Sequence, residues 1–294
     1  MRYSSEASTR PLTSGQKLNS RDLSSRSGEK TSALKKAGAH FITALAFIAL
    51  APTAFAAIVA KPHTYHLAGV KYEGFVAYDD AVKTPRPGVL VAHNWMGVTQ
   101  DTHEVARRLA GLGYVAFAVD IYGANRRPAN VDEAAKLSAT YKKDRTMLRS
   151  RMQQGLKVLR ELPQVDKRKL AVIGYCFGGT AAIELARAGA EAKAFVSFHG
   201  GLDAPKPQDA LRIKGRILAL HGADDPFVPA ADLAAFEEEM RTAKVDWQLI
   251  KYGGAVHSFT EKAAGNDNKK GAAYNEAADR RSWEAMLSLF REVL

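Results

Sequence analysis

Only one cysteine, Cys176, occurs in the chain, so no intramolecular disulfide can form and stability has to come from a buried core. No H-E-x-x-H pair is present; His103-Glu104 lacks the second histidine, and His93, His199 and His221 at strand ends read as local hydrogen-bonding residues, so no metal site is expected. Gly200-Gly201 lacks the Lys-Ser/Thr that completes a phosphate loop. Internal repeats and long runs of one charge are also missing. The net charge of +11 would suit nucleic acid, but residues 1–56 carry +5 of it, and the downstream basic residues are interleaved with acids, as at Glu237-Glu238-Glu239 near Arg241. A solvated, mildly basic surface is the expectation, with no nucleic-acid partner.

What is present suits a globular protein: 294 residues, 46% hydrophobic and 25% charged, enough for one large core. Residues 1–33 are rich in Ser, Thr and Arg and have no apolar periodicity. Lys35-Lys36 then precede the apolar run Phe41–Leu50, followed by Pro52 and Ala54-Phe55-Ala56. A positive region, about ten apolar residues and an A-x-A site make a secretory signal cleaved after Ala56. The expected product is exported and periplasmic, with no stable membrane span after cleavage; the alternative is an anchor formed by reading the apolar run on through Val59. The leader before Lys35 is long for a signal, and a translation start at codon 34 would give a compact one.

From Tyr65 onward, strands alternate with helices. His66–Val70 and Gly74–Tyr78 read as an opening antiparallel pair, and strands follow at 87–93, 114–120, 170–175, 194–198, 216–220 and 246–252. Helices are expected at 102–112, in one or two pieces over 130–162, and at 179–189, 229–243 and 273–293. This alternation predicts an α/β fold: a doubly wound, mostly parallel sheet with helices on both faces, one domain over residues 60–294 and no large cap.

Three loops at the expected carboxyl ends of strands carry the chemistry. In Gly174-Tyr175-Cys176-Phe177-Gly178-Gly179, small residues stand two positions either side of a thiol on a strand-to-helix turn. A helix N-terminus there favours thiolate, and the Phe177 N–H is placed to stabilise an oxyanion. The loop His221–Pro229 offers two aspartates; Asp225, three residues before Val228, fits the H-G-x-x-D-x-x-V-P pattern better than Asp224. After the last strand, His257 follows Gly253-Gly254 and is the candidate general base. Nucleophile, acid, histidine is the chain order of α/β-hydrolases.

On these motifs the chain resembles the dienelactone hydrolase family over nearly all of residues 65–294. The resemblance implies a cysteine nucleophile in place of serine, a triad of Cys176, Asp225 and His257, and an oxyanion hole from the backbone N–H groups of Phe177 and Trp95. Two positions depart from the family pattern. A glutamate that helps activate the thiol is replaced by Asn94, and an arginine that contacts that glutamate and the substrate carboxylate is replaced by Glu261. A second substrate arginine has no equivalent in register, although Arg126 and Arg127 lie close. With Asn94, Tyr122 and Phe259 they make up the candidate substrate contacts.

The expected activity is cofactor-free hydrolysis of a small ester or lactone through an acyl-thioester, with His257 activating Cys176 directly. The alternatives are an acyltransferase on the same thioester and a non-catalytic binding protein with this fold. A monomer or small homo-oligomer is expected.

Overall fold

The computed structural model describes residues 57–124 and 126–294, so the leader and signal segment expected over residues 1–56 lie outside the described residues. The chain opens with a hairpin of β1 (Ile58–Leu67) and β2 (Val70–Asp79), paired antiparallel along their whole length. Its turn is Ala68-Gly69, both at positive φ (48° and 78°), the geometry of a two-residue turn matched to strand twist. The expected strand through 66–70 is therefore interrupted: Gly69 supplies the left-handed conformation that reverses the chain, and pairing resumes at Val70.

Six more strands complete the sheet: β3 (Arg86–Ala92), β4 (Val115–Val119), β5 (Val165–Tyr175), β6 (Ala194–Phe198), β7 (Arg216–Gly222) and β8 (Trp247–Tyr252). The order is β1-β2-β4-β3-β5-β6-β7-β8, parallel from β4 through β8. β5 begins five residues earlier than the apolar run suggests. Val165 and Asp166 pair with Arg86 and Pro87, and the register then shifts so that Gly88 meets Leu170, with the exposed Lys167-Arg168-Lys169 taken up in the irregularity.

The central strands are buried on both faces, which explains their unbroken apolar sequences. In β3, Leu90 and Ala92 point to one core and Val89 and Val91 to the other. The first core is closed by α3 (Arg145–Glu161), α4 (Phe177–Arg187) and α5 (Ala230–Thr242), through residues such as Leu148, Ile183 and Phe236. The second is closed by α1 (Gln100–Gly111) and α6 (Glu276–Val293), through Leu109, Trp283 and Phe290. Helix α2 (Val131–Lys143) precedes α3, and the region 130–162 is thus two helices. Asp144 ends the first and caps the second, accepting from the Met147 amide at 2.8 Å. Among the described residues the strands are joined by helices and loops, with no inserted cap domain, and no helix is long and apolar enough to cross a membrane.

Candidate active site

Cys176 stands between β5 and α4 with φ 53° and ψ −117°, a left-handed conformation that a non-glycine residue holds only at a cost of about 1–3 kcal/mol. Close approach on both sides enforces it. A Cβ at Gly174 would sit 1.9 Å from the Gly178 carbonyl oxygen, and one at Gly178 would sit 2.3 Å from the Ala92 oxygen and 2.5 Å from that of His93. The Cys176 amide donates to Phe198 O at 2.9 Å, which ties the turn to the end of β6.

His257 Nε2 lies 3.1 Å from Cys176 Sγ, and His257 Nδ1 lies 2.8 Å from Asp225 Oδ2. Asp225 has a fully buried side chain, and its other oxygen accepts from the Phe227 amide at 2.8 Å, so the carboxylate cannot swing away from the imidazole. Burial alone would lower the His257 pKa. The hydrogen bonds to Asp225 and Cys176, with the negative charge of both, outweigh it and push His257 up to about 10. The contacts to Asp225 and Cys176 thus favour the imidazolium form of His257. Asp224 plays a different part. Its Oδ2 accepts from the Gly254 amide at 3.0 Å and braces the loop before His257.

The segment His93–Met96 is pinned by five hydrogen bonds, three of them to residues outside it. His93 is kept neutral by burial, its pKa lowered to about 4 although the Asn94 carbonyl and Asp120 oppose this. Its Nε2 accepts from the Ile121 amide at 3.2 Å, so Nδ1 carries the proton and donates to Asn94 O at 2.6 Å. Tyr122 Oη donates to Trp95 O at 3.0 Å, Asn94 Oδ1 accepts from the Met96 amide at 2.9 Å, and Asn94 Nδ2 donates to Glu261 Oε1 at 3.1 Å. The Trp95 peptide is thus held rigidly. The Phe177 amide heads helix α4, and among the described residues neither it nor the Trp95 amide finds an acceptor. Two free donors beside the Cys176 sulfur can receive negative charge developing on a carbonyl oxygen.

A cavity of about 390 Å³ opens beside this group, and Cys176, His257, Trp95, Phe177, Phe227 and Val228 all line it. Other sequence candidates lie elsewhere. Phe259 is fully buried against His199 and Tyr252. Tyr122 is buried, stacks on Phe177 and acts on the Trp95 carbonyl. Arg127 is committed to the buried Asp120 at 3.2 Å and to the carbonyls of Gly123 and Glu73. Arg126 is exposed and does not line the cavity. Asn94 and Glu261 line a neighbouring cavity of about 330 Å³.

Sequence reasoning missed the charged framework behind the cleft wall. Arg187, fully buried, donates to Glu184 and Glu239 and to the carbonyls of Leu202 and Asp203. Arg145 and Arg149 from α3 join Glu184 as well, and Thr180 Oγ1 donates to Gly201 O at 3.0 Å. Three arginines in amphipathic helices give no sequence signal that separates a buried cation from a solvated one.

A mostly parallel eight-stranded sheet with a cysteine, an aspartate and a histidine gathered beyond the carboxyl ends of its strands defines an α/β-hydrolase. The profile of the dienelactone hydrolase family matches residues 72–294. A solved structure, that of the dienelactone hydrolase-like promiscuous phosphotriesterase P91 from metagenomic libraries, is 41% identical, with a TM-score of 0.77 over 81% of this chain and 99% of that one. The "Putative carboxymethylenebutenolidase" of Yersinia pestis is 28% identical over 76% of this chain and 85% of its own. The dienelactone hydrolase of Anabaena variabilis, 20% identical with a TM-score of 0.58 over 80% of this chain and 99% of that one, shares the fold. The chain belongs to the dienelactone hydrolase family and is an ester or lactone hydrolase of that type.

Proposed function

We propose that the protein hydrolyses small carboxylic esters or lactones without a cofactor, through Cys176, His257 and Asp225 and an acyl-thioester intermediate. The observation that carries this reading is the unbroken line of contacts from Sγ through the imidazole to a buried carboxylate, 3.1 Å and 2.8 Å long. The Cys176 thiolate attacks the carbonyl carbon, and the amides of Phe177 and Trp95 receive the oxyanion. The His257 imidazolium gives its proton to the departing alkoxide, leaving the acyl group on sulfur. Neutral His257 then takes a proton from water, whose oxygen attacks the thioester; as the C–S bond breaks, the acid leaves and the thiolate–imidazolium pair is restored. Asp225 orients the ring and stabilises its charge.

The test is turnover of 4-nitrophenyl acetate by Cys176→Ala and His257→Ala. Loss of about two or more orders of magnitude in both is expected, and undiminished rates in both would end the reading. Product analysis with and without an acceptor alcohol separates hydrolysis from acyl transfer. Failure of Cys176 to react with iodoacetamide, together with no turnover, would favour a binding protein. The similarity to P91 favours a second reading on the same residues, attack of the thiolate on phosphorus in a phosphotriester. Paraoxon hydrolysis that disappears in Cys176→Ala would support it. We further place the enzyme in the periplasm after cleavage behind Ala56, on the strength of Lys35-Lys36, the run Phe41–Leu50 and Ala54-Phe55-Ala56. N-terminal sequencing of the exported protein tests this.

A further inference from the structure

The peptide that joins Phe198 to His199, where β6 ends, is tied to two of the triad's loops, and the His199 side chain reaches the third. Its carbonyl oxygen accepts from the Cys176 amide at 2.9 Å. Its N–H donates to Leu220 O at 2.8 Å, near the end of β7, the strand that leads to Asp225. The His199 ring stands 5.3 Å from that of His257 and 5.1 Å from that of Phe259, both in T-shaped contact, and its Nε2 lies 2.8 Å from Thr260 Oγ1. One side chain thus grips the histidine loop at three positions. His199 holds this place against two penalties. Its φ of 40° lies in the left-handed region that favours glycine. Its Nδ1, in a fully buried side chain, has no hydrogen-bond partner among the described residues. Strain and an unsatisfied polar atom in one residue are features that collect at functional sites. Burial, and beyond it the charge of His257, hold the His199 pKa well below its ordinary value, so the ring sets no second cation against His257.

We propose that His199 is a positioning residue, which through its ring and its contact with Thr260 seats the histidine loop so that His257 Nε2 meets Cys176 Sγ. Its consequence for turnover rests on the ester-hydrolase reading above. Sγ and Nε2 come from residues 81 positions apart, and the end of β6 is a place that both loops touch. Asp225 holds His257 at Nδ1 alone, and about that one bond the ring could still pivot. The His199 ring packed against it stops the pivot. Misplacement of a reacting group by about 1 Å can cost on the order of a hundredfold in rate.

The variants are His199→Phe, which keeps a ring but removes Nε2 and the unpaired Nδ1, and Thr260→Val, which keeps the shape of Thr260 and removes its hydroxyl. Three quantities are read on each: turnover of 4-nitrophenyl acetate, alkylation of Cys176 by iodoacetamide, and the urea unfolding midpoint. Thiolate is the form that alkylates, so that rate at fixed pH follows the Sγ–Nε2 contact without needing an ester. Both variants are expected to lose about tenfold to a hundredfold in kcat with KM little changed. Both should also alkylate more slowly and unfold near the wild-type midpoint. The double variant should be no worse than either single one, because both remove the same contact. Wild-type kcat and alkylation in both variants would overturn the inference. So would a loss of activity that only follows a falling midpoint, the result for a residue that merely fills the core. A loss of kcat with alkylation unchanged would overturn it too, since the contact between Cys176 and His257 would then be intact. If the wild type turns over no ester above the Cys176→Ala background, the hydrolase reading falls, and alkylation by itself still decides the place of His199.

Discussion

Asn94 and Glu261, 167 residues apart in sequence, are joined by a hydrogen bond of 3.1 Å from the amide nitrogen to the carboxylate. The family pattern puts a carboxylate at the first position and a cation at the second. Here the carboxylate has moved to the histidine loop, and a neutral amide that bonds to its own neighbour, the Met96 amide, faces it. Burial raises the Glu261 pKa, opposed in part by the hydrogen bond from Asn94 and the charge of His257. The pair clamps the loop bearing Trp95 to the loop bearing His257.

A glutamate at position 94 alone would set two carboxylates against each other in a half-buried place. Asn94→Glu should lower stability by about 1–3 kcal/mol. Glu261→Arg alone removes the acceptor and brings a cation toward the His257 imidazolium, and should cost a similar amount. The double substitution restores an ion pair, so urea unfolding of the four proteins should give a coupling energy of about 1–3 kcal/mol. Costs that simply add would show that the contact contributes nothing.

His257 predicts the alkaline limb of the pH profile. Its pKa is raised in the folded protein, from 6.5 to about 10, so the imidazolium contributes stability that is fully present below 6.5 and is lost as pH rises through about 10. Acylation needs that proton for the leaving group, so kcat/KM should fall as pH passes about 10. Removing the Asp225 charge removes one of the causes of the shift, so Asp225→Asn should move the limb to lower pH as well as lowering the rate. A limb at the same pH in wild type and variant would show that Asp225 does not set the His257 charge.

The close approach at the Cys176 turn gives a stricter prediction. Gly178→Ala would drive a methyl group into two backbone carbonyls of the β3 end, at 2.3 Å and 2.5 Å, where no flexible side chain can yield. Either α4 shifts and takes the Phe177 amide and Cys176 with it, or the fold fails. We expect loss of at least two orders of magnitude in kcat/KM, with stability, followed by circular dichroism, reduced as well. Retention of near wild-type activity would mean that the turn has more room than these contacts allow.

Cys176, Asp225 and His257 were legible in the sequence because each stands in a short motif just past an apolar strand run, and backbone topology does the rest. The two-core architecture was legible too, in strand runs apolar at every position. The first hairpin was less so: only Gly69 marked its turn, inside an otherwise plausible strand. Phe259 and Tyr122 read as cleft aromatics from their loops, yet a loop position says nothing of which way a ring points, and both rings point into the interior. Arg127 read as a substrate cation because its partners were invisible. Asp120 accepts from the amides of Tyr122, Gly123 and the distant Glu73 before it meets Arg127, a set that only the fold assembles.

Arg187 is the most demanding case of the same kind, and its removal should be costly. The side chain is fully buried and saturated: Nε and Nη2 hold both oxygens of Glu239 at 2.9 Å and 2.6 Å, Nη1 holds Glu184 at 2.9 Å, and the remaining protons go to the Leu202 and Asp203 carbonyls. In Arg187→Met, Glu184 keeps Arg149 at 2.7 Å, but Glu239, with a side chain only 2% exposed, is left as an unpaired buried charge. The expected loss is about 3–5 kcal/mol, the range for breaking a buried ion pair from one side. Pairing it with Glu239→Leu removes the stranded charge and should recover a good part of that loss, because an apolar pair can replace a buried ionic one. The two carbonyls stay unsatisfied in both proteins, and Asp203 lines the cleft, so KM should remain raised in the double variant even where stability returns. Recovery of stability and KM together would show that the arginine holds only the helices and leaves the cleft wall to stand by itself.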